Sequence, residues 1–265
     1  MLGKEKAISL WKNESVENYY FVGKDNIPFH TIFWPGAIIG DKRFHMPTNV
    51  SGYQFLNFEG KKFSKSKNVG IFLDKVIASN IPIDYWRLYL TYILTETSDA
   101  DFIICDFKER INKELIGNFG NYVNRVLNLI YVKCNSIIPT VKQRDTIVEL
   151  EIDAYVKQII TCYNKLEFRS ALYNILKFSD FGNRHLNTYA PWKSGDYTLL
   201  AYNVEIIRLL AIVLSPIIPE TTDKIFELLN TNNKAICLDL DSRSIKKPEI
   251  LFKKLEDQDI LCFKN

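Results

Sequence analysis

The chain has 265 residues, 47% of them hydrophobic and 25% charged, which is ordinary globular composition with enough apolar material for one large domain or two modest ones. Lys and Arg number 34 against 31 Asp and Glu, a net charge of +3, so a global cationic field is excluded and any nucleic-acid contact must come from local patches. Five scattered cysteines with no C-x-x-C pair and no neighbouring histidine cluster argue against a zinc site and for reduced thiols.

The N-terminal stretch carries Lys4, Glu5, Lys6 and Lys12 among its apolar residues, which excludes a signal-peptide core. A strand-like YYFVG (19–23) comes early and ends in Gly-Lys-Asp-Asn, a strand running into a polar turn. PFHTIFWPGAII follows, and Pro28 suits the first position of a helix. Strand, turn and helix in this order read as part of a parallel α/β sheet. Residues 41–53, with Pro47 and Gly52, read as loop, and YQFLNFEG (53–60) as a strand feeding the lysine-rich GKKFSKSKN (60–68).

From Ile83 onward, apolar residues recur at three- and four-residue spacing over long stretches, which predicts a helix bundle. Two later helical runs meet at Pro216 and Pro219, and Thr221 or Thr222 is placed to cap the second. The apolar run LLAIVLSPIIP (209–219) is broken by Pro216 and is too short to span a bilayer. These features point to a soluble, cytoplasmic protein with no membrane partner. Beyond about residue 231 the text turns polar and basic; Lys246, Lys247, Lys253 and Lys254 read as a solvated tail that can also touch an RNA backbone.

Two segments carry candidate chemistry. In residues 60–68 four lysines and two serines surround Phe63. Spacing alone leaves two readings open: a solvated charge run, or a loop whose ammonium groups and backbone close on a polyphosphate. Farther along, Asn118, Asn121, Arg125 and Asn128 fall at i, i+3, i+7 and i+10, a polar stripe along one helix face, with Leu115, Tyr122, Val126 and Leu129 available for another. Amides and a guanidinium can read base edges and phosphates, but the same stripe suits a buried polar seam or a solvent face. Gly117 and Gly120 in that run each cost a helix about 1 kcal/mol, which implies that something approaches closely. His45 and His185 have no partner cluster and read as structural.

KFSKS (62–66) resembles the KMSKS signature of class I aminoacyl-tRNA synthetases, with Phe63 in place of the usual methionine. Together with YYFVGKDNIPFHTIFWP (19–35) it resembles the methionyl-tRNA synthetase family; GNYVNRVL (120–127) resembles the family's anticodon-reading helix and YAPW (189–192) its Pro-Trp motif.

The resemblance implies the C-terminal part of a Rossmann-type fold, a stem-contact region and an α-helical anticodon-binding bundle. The expected division is 1–50 for the nucleotide-binding part, 51–100 for the KMSKS-like loop and stem contact, 101–245 for the bundle and 246–265 for the tail. It also implies ATP contacts at Gly23, Asp25, Asn26, Lys62, Ser64, Lys65 and Ser66. Lys65, supported by Lys62, would stabilise the charge that builds on the triphosphate. Phe29, His30, Phe33 and Trp34 would wall the methionine side chain, the spacing bringing two aromatics and a histidine into one neighbourhood. Asn121, Arg125 and Trp192 would bind the anticodon.

The implied substrates are ATP with Mg2+, methionine and its tRNA, with no zinc site in this chain. The family's HIGH motif is missing from the sequence. The expectation is therefore a partner chain or a fragment boundary, with a naturally split enzyme preferred. The rival is a noncatalytic tRNA-binding module.

Overall fold

The computed structural model describes residues 3–263. They group into two compact units, one formed by 3–69 with 95–101 and the other by 70–94 with 102–263.

In the first unit a short helix α1 (Lys4–Lys12) precedes strand β1 (Tyr19–Gly23). The chain turns through a 3-10 segment at Lys24–Asn26 and a π-helical segment at Phe29–Phe33, then enters α2 (Trp34–Asp41). The expected helix is present, but Pro28 sits just before it and the helix proper starts at Trp34, with Pro35 in its first turn. Strand β2 (Asn49–Tyr53) lies parallel to β1, Tyr19 opposite Asn49 through Gly23 opposite Tyr53.

Residues 49–53 are thus a strand where a loop was expected. Their weak strand composition is overridden by pairing with a distant partner and by packing: Ile27 occupies the space a side chain at Gly52 would need, its Cγ1 2.9 Å from that position. No residue of β1 or β2 is buried. Strand β3 (Leu56–Phe58) turns back through the left-handed Glu59 and Gly60 into β4 (Lys61–Lys62), and β5 (Ala100–Phe102) lies on the other side of β3.

The second unit is helical. Helices α3 (Leu73–Ala78) and α4 (Ile83–Tyr92) precede α5 (Ile104–Arg110), which continues through a π-helical segment (Ile111–Gly120) into α6 (Asn121–Lys133). The long α7 (Thr146–Asn164) and α8 (Phe168–Tyr189) pair with each other, and α10 (Leu200–Leu214) packs against α8 after the short α9 (Pro191–Ser194). Helices α11 (Pro219–Leu228) and α12 (Asp257–Ile260) complete it. The core is apolar at the expected periodicity, with Phe107, Ile111, Leu115, Val126, Ile159, Phe178 and Leu210 at most 1% exposed.

Neither Thr221 nor Thr222 caps α11; both lie inside its first turn. The carboxylate of Asp84, from α4, does that work, accepting from the backbone N–H and the hydroxyl of Thr221, both at 2.7 Å. A carboxylate buried on a neighbouring helix satisfies one of the orphan backbone donors, a partnership that local spacing cannot announce.

The basic tail is not simply solvated. Its lysine side chains face water, but Phe252 and Leu255 are buried. The backbone of Lys253 exchanges hydrogen bonds with the Tyr85 hydroxyl (2.8 and 3.0 Å), and that of Leu255 with the Asn112 amide (2.8 and 2.9 Å). Among the described residues no helix is long and apolar enough to cross a membrane, and no group of three or more His, Cys, Asp or Glu is gathered to hold a metal.

Candidate functional site

In the first unit the KFSKS loop is a tight structure. Ser64 and Val69 exchange backbone hydrogen bonds at 2.9 Å, Asn68 turns left-handed, and the Gly60 N–H donates to Asp101 at 2.6 Å. The Ser64 and Ser66 hydroxyls are 3.3 Å apart. Phe63 leans on Phe58, centroids 5.8 Å apart. The side chains of Lys61, Lys62, Lys65 and Lys67 stay exposed. Four exposed lysines on β4 and the turn that follows it form a locally positive surface.

Phe55 links this loop to the Gly-Lys-Asp-Asn turn. The Lys24 ammonium lies 4.2 Å and the Lys62 ammonium 5.6 Å from the Phe55 ring centroid. Asp99 pairs with Lys24 at 3.0 Å and accepts the Phe55 N–H at 2.9 Å; the lysine beside it holds its carboxyl below the usual carboxylate range. Gly23, Asp25 and Asn26 are exposed on the same turn. Lys24, Phe55 and Asp99 were not singled out by sequence, because nothing in the spacing links residue 24 to residue 99.

The four residues expected to form one aromatic wall occupy three places. Phe29 and Phe33 lie 5.5 Å apart, and both are exposed. His30 turns to Tyr20, 5.4 Å between rings, with its Nδ1 3.0 Å from the Asn26 carbonyl. Trp34 meets Trp11 edge-on at 6.0 Å. Residues 29 and 33 share a face, but 30 and 34 point about a quarter-turn away, where other elements have already supplied partners.

In the second unit a cavity of about 520 Å3 opens beside α6, lined by Asn124, Arg125, Asn128, Leu129, Lys133 and Trp192 among others. Its walls combine an aromatic face with cationic and amide groups. The Arg125 guanidinium lies 5.6 Å from the Trp192 centroid and donates to Asn187 Oδ1 at 2.8 Å. Asn128 donates to the carbonyl and side-chain oxygens of Asn124 (2.8 and 2.7 Å), which fixes both amides. Arg125 and Trp192 thus come together from sequence-distant helices, whereas Asn121 lines a second, smaller cavity of about 190 Å3 with Asn124 and the tail.

Asn118 leaves the expected stripe. The π-helical turns that precede α6 direct it into the seam with α8, where its Oδ1 accepts from Ser179 and Asn183, both at 3.0 Å. Leu129, one turn beyond Arg125, lines the cavity instead of the opposite face. The close approach at Gly120 is made by Phe252, whose ring carbons lie 2.5 and 2.9 Å from where a Cβ would sit. Gly117 meets only the Asn112 carbonyl, at 3.1 Å.

Both histidines have structural partners. His45 lies 3.1 Å from the Asn18 amide. His185 is buried with its Nδ1 3.1 Å from the Asn203 amide, and burial lowers its pKa. All five cysteines are free thiols. Asn124 and Asn187 are not evident from the sequence alone as parts of this cavity: Asn124 sits beside Arg125 in the GNYVNRVL motif, whereas Asn187 carries no signal short of the fold.

Residues 3–127 match the family of class I tRNA synthetases (M), and residues 139–265 match the anticodon binding domain of methionyl tRNA ligase. The methionine–tRNA ligase of Nanoarchaeum equitans is 39% identical over 259 residues, covering 91% of this chain and 33% of its own length. That of Borrelia turicatae is also 39% identical, with 94% and 36% covered. Mycobacterium tuberculosis methionyl-tRNA synthetase bound by methionyl-adenylate shares the fold, with a TM-score of 0.79 at 19% identity over 91% of this chain and 50% of that one. The chain therefore spans about a third of the length of these curated relatives.

Proposed function

Because the chain belongs to the methionyl-tRNA synthetase family, we propose that it is the part of a methionine–tRNA ligase that supplies one side of the adenylation site and the tRNA-reading groove. In functional terms residues 1–50 carry the nucleotide-binding part, 51–100 the KFSKS loop and stem contact, 101–245 the anticodon bundle and 246–265 the tail.

The methionine carboxylate attacks the α-phosphate of ATP and pyrophosphate leaves; a ribose hydroxyl of the tRNA's terminal adenosine then attacks the carbonyl of the adenylate, and AMP leaves as the ester forms. Lys65 and Lys62 stabilise the charge shifted onto the departing phosphates, and the backbone N–H groups around Ser64 and Ser66 add donors at the same end. Gly23, Asp25 and Asn26 hold the adenosine; a carboxylate such as Asp25 can accept from both ribose hydroxyls. Mg2+ enters with ATP as part of the substrate. The exposed pair Phe29 and Phe33 faces the methionine thioether, whose sulfur favours aromatic edges, while His30 and Trp34, engaged with Tyr20 and Trp11, border the same segment. Arg125 and Trp192 take an unpaired anticodon base, with Asn121 one turn away.

The observation that carries the catalytic reading is the meeting of Lys24 and Lys62 on one ring, which joins the turn that would hold the nucleoside to the loop that would hold its phosphates. The pair β1–β2 also supports a second polypeptide region. Parallel strands belong in sheets covered on both faces, yet here Phe21, Phe29, Ile32 and Phe33 are exposed. A region carrying the HIGH motif and the remaining strands completes the sheet and the far side of the nucleotide.

The test is methionine-dependent ATP–pyrophosphate exchange by the chain together with a HIGH-bearing region. Lys65→Ala should lower exchange by about 100-fold or more and leave tRNA binding intact; exchange at the original rate would reject the role of Lys65. The noncatalytic tRNA-binding reading is favoured by one observation, that the Trp192 cavity is built entirely within the helical unit. It would prevail if the pair bound tRNA but exchanged no pyrophosphate.

A further inference from the structure

The last turn of α8 reaches both members of the Arg125–Trp192 pair. Asn187 accepts the Arg125 guanidinium at 2.8 Å, and two residues later the Tyr189 hydroxyl donates to Asp145 Oδ2 at 3.1 Å. Asp145 lies 44 residues earlier in the chain and is itself fixed. As the N-cap of α7, it accepts the backbone N–H groups of Ile147 and Val148 at its Oδ1, both at 3.1 Å. Its own N–H donates to the Tyr202 hydroxyl of α10 at 2.8 Å, and that hydroxyl donates to Glu149 at 2.9 Å. Arg144 closes the far side with two bonds to Glu149, at 2.7 and 2.8 Å. The Tyr189 ring also rests against the His185 ring, centroids 4.5 Å apart. The end of α8 is thereby tied to α7 and α10, and the ties meet at the residue just before a left-handed corner.

That corner controls Trp192. Ala190 stands at φ 40° and ψ 59°, a conformation that a residue with a Cβ keeps only when its neighbours hold it. Beyond it α9 spans only Pro191–Ser194, too short to persist as a helix by itself. Trp192 is 44% exposed, so packing fixes the ring little and its direction follows from the backbone that leads to it. A phenol donating to a carboxylate makes a charge-assisted bond, stronger than a neutral pair, and this one sits one residue from the strained position. The Asp145 carboxylate uses one oxygen on the α7 cap and the other on Tyr189, so a single side chain pins two helices.

We propose that Asp145 and Tyr189 are positioning residues for base binding at the Trp192 cavity: their hydrogen bond holds the Ala190 corner, and the corner holds the Trp192 ring toward Arg125. Neither residue lines the cavity. The inference rests on the reading of that cavity as an RNA site, and it adds a support on α7 that sets how the ring is aimed.

The experiment measures the Kd of the chain for a hairpin RNA with CAU in its loop. Tyr189→Phe deletes only the hydroxyl and keeps the ring beside His185. Asp145→Ser keeps a helix-capping oxygen on a side chain too short to reach Tyr189. Each should raise Kd about fivefold, and the double variant should raise it no further than either alone. In a Trp192→Ala chain, itself weakened about tenfold, Tyr189→Phe should have no additional effect. Methionine-dependent pyrophosphate exchange with the HIGH-bearing region present should be unchanged in Tyr189→Phe.

If Tyr189→Phe binds the hairpin as the unaltered chain does, or costs as much in the Trp192→Ala chain as alone, the positioning role is refuted while the Trp192 cavity stands. A loss of exchange as large as the loss of binding would assign the effect to folding at large and overturn the role as well. If Trp192→Ala is itself without effect on Kd, the RNA reading of the cavity falls, and the positioning role falls with it.

Discussion

Replacing Arg208 with methionine should destabilise the helical unit by about 3–5 kcal/mol. Arg208 and Glu205, one turn apart on α10, are both fully buried. The guanidinium uses all five of its N–H groups. Two go to the Glu205 carboxylate at 2.8 and 2.6 Å, and three to the carbonyls of Asn233, Ala235 and Cys237 at 2.9, 2.9 and 2.5 Å. Glu205 also accepts the Asp239 N–H at 2.9 Å, so one ion pair fastens the whole 233–239 segment to the helix. Methionine fills the volume but strands a carboxylate in the core.

For a unit of about 190 residues the loss amounts to a fall of roughly 6–20 °C in melting temperature, read by circular dichroism together with a urea titration. Burial pushes the Glu205 carboxyl up even with Arg208 beside it. Without Arg208 that shift grows, and stability is then present below the ordinary glutamate value near 4.3 and lost as pH rises through the raised one. The Arg208→Met deficit should therefore shrink between about pH 7 and pH 5, and Glu205→Leu added to Arg208→Met should recover the part due to the stranded charge. A loss below about 1 kcal/mol, or singles whose effects simply add in the double variant, would refute this account of the segment.

Three other outcomes follow, the first two from the proposed function and measured with the HIGH-bearing region present. Asn187→Leu removes the acceptor that holds Arg125 and should raise the KM for tRNA about fivefold with the adenylation rate unchanged, whereas Asn187→Asp should bind as the original does; equal losses in both variants would mean that Asn187 does not orient Arg125. Phe55→Leu removes the ring under Lys24 and Lys62 and should raise the KM for ATP in pyrophosphate exchange by about two- to fivefold, while Phe55→Tyr should restore it; the same KM in all three chains would reject the role. Because burial lowers the pKa of His185, the unfolded chain binds a proton near its ordinary value of 6.5 that the native chain does not, and stability falls as pH falls below it. His185→Phe should flatten that acid-side decline, and a decline of the same steepness would assign it to other groups.

Much of the architecture can be read from the sequence because it rests on local periodicity. β1 and the helical second half follow from apolar spacing, and the Gly120 anomaly marks a true close approach by Phe252. What escapes is set by distant partners. Asn49–Tyr53 becomes a strand only because β1 lies beside it, and α11 is capped by an aspartate 137 residues away. The π-helical turns redirect Asn118 into a packing seam, a shift that a uniform 3.6-residue count cannot contain. In the tail the frequent lysines conceal Phe252 and Leu255, whose burial decides its path. Of the three motif residues expected together, Arg125 and Trp192 meet in one cavity and Asn121 lines another, and Asn187, which accepts from Arg125, had no signal in the sequence.

Behind the groove lies a buried polar relay whose geometry explains why its face can stay open. The Tyr122 hydroxyl donates to Asn203 Oδ1 at 3.1 Å, and the Asn203 amide reaches His185 Nδ1, also at 3.1 Å. Gly182 is bare where Tyr122 crosses it, the phenolic oxygen 2.5 Å from its would-be Cβ. These contacts lock α6, α8 and α10 together from the inside, each buried polar atom of the relay being expensive to strand. The same α8 then ends at Ala190, held left-handed at φ 40°, a conformation that costs a residue with a Cβ about 1 kcal/mol or more. That corner sends Pro191 into the next helix and turns Trp192 back toward Arg125. Strain is tolerated at the corner because the relay fixes the helix that leads into it. The fold itself therefore holds the Arg125 guanidinium 5.6 Å from the Trp192 ring, and on the proposed reading of the groove, ordering entropy that a flexible loop would lose on binding has already been lost in folding.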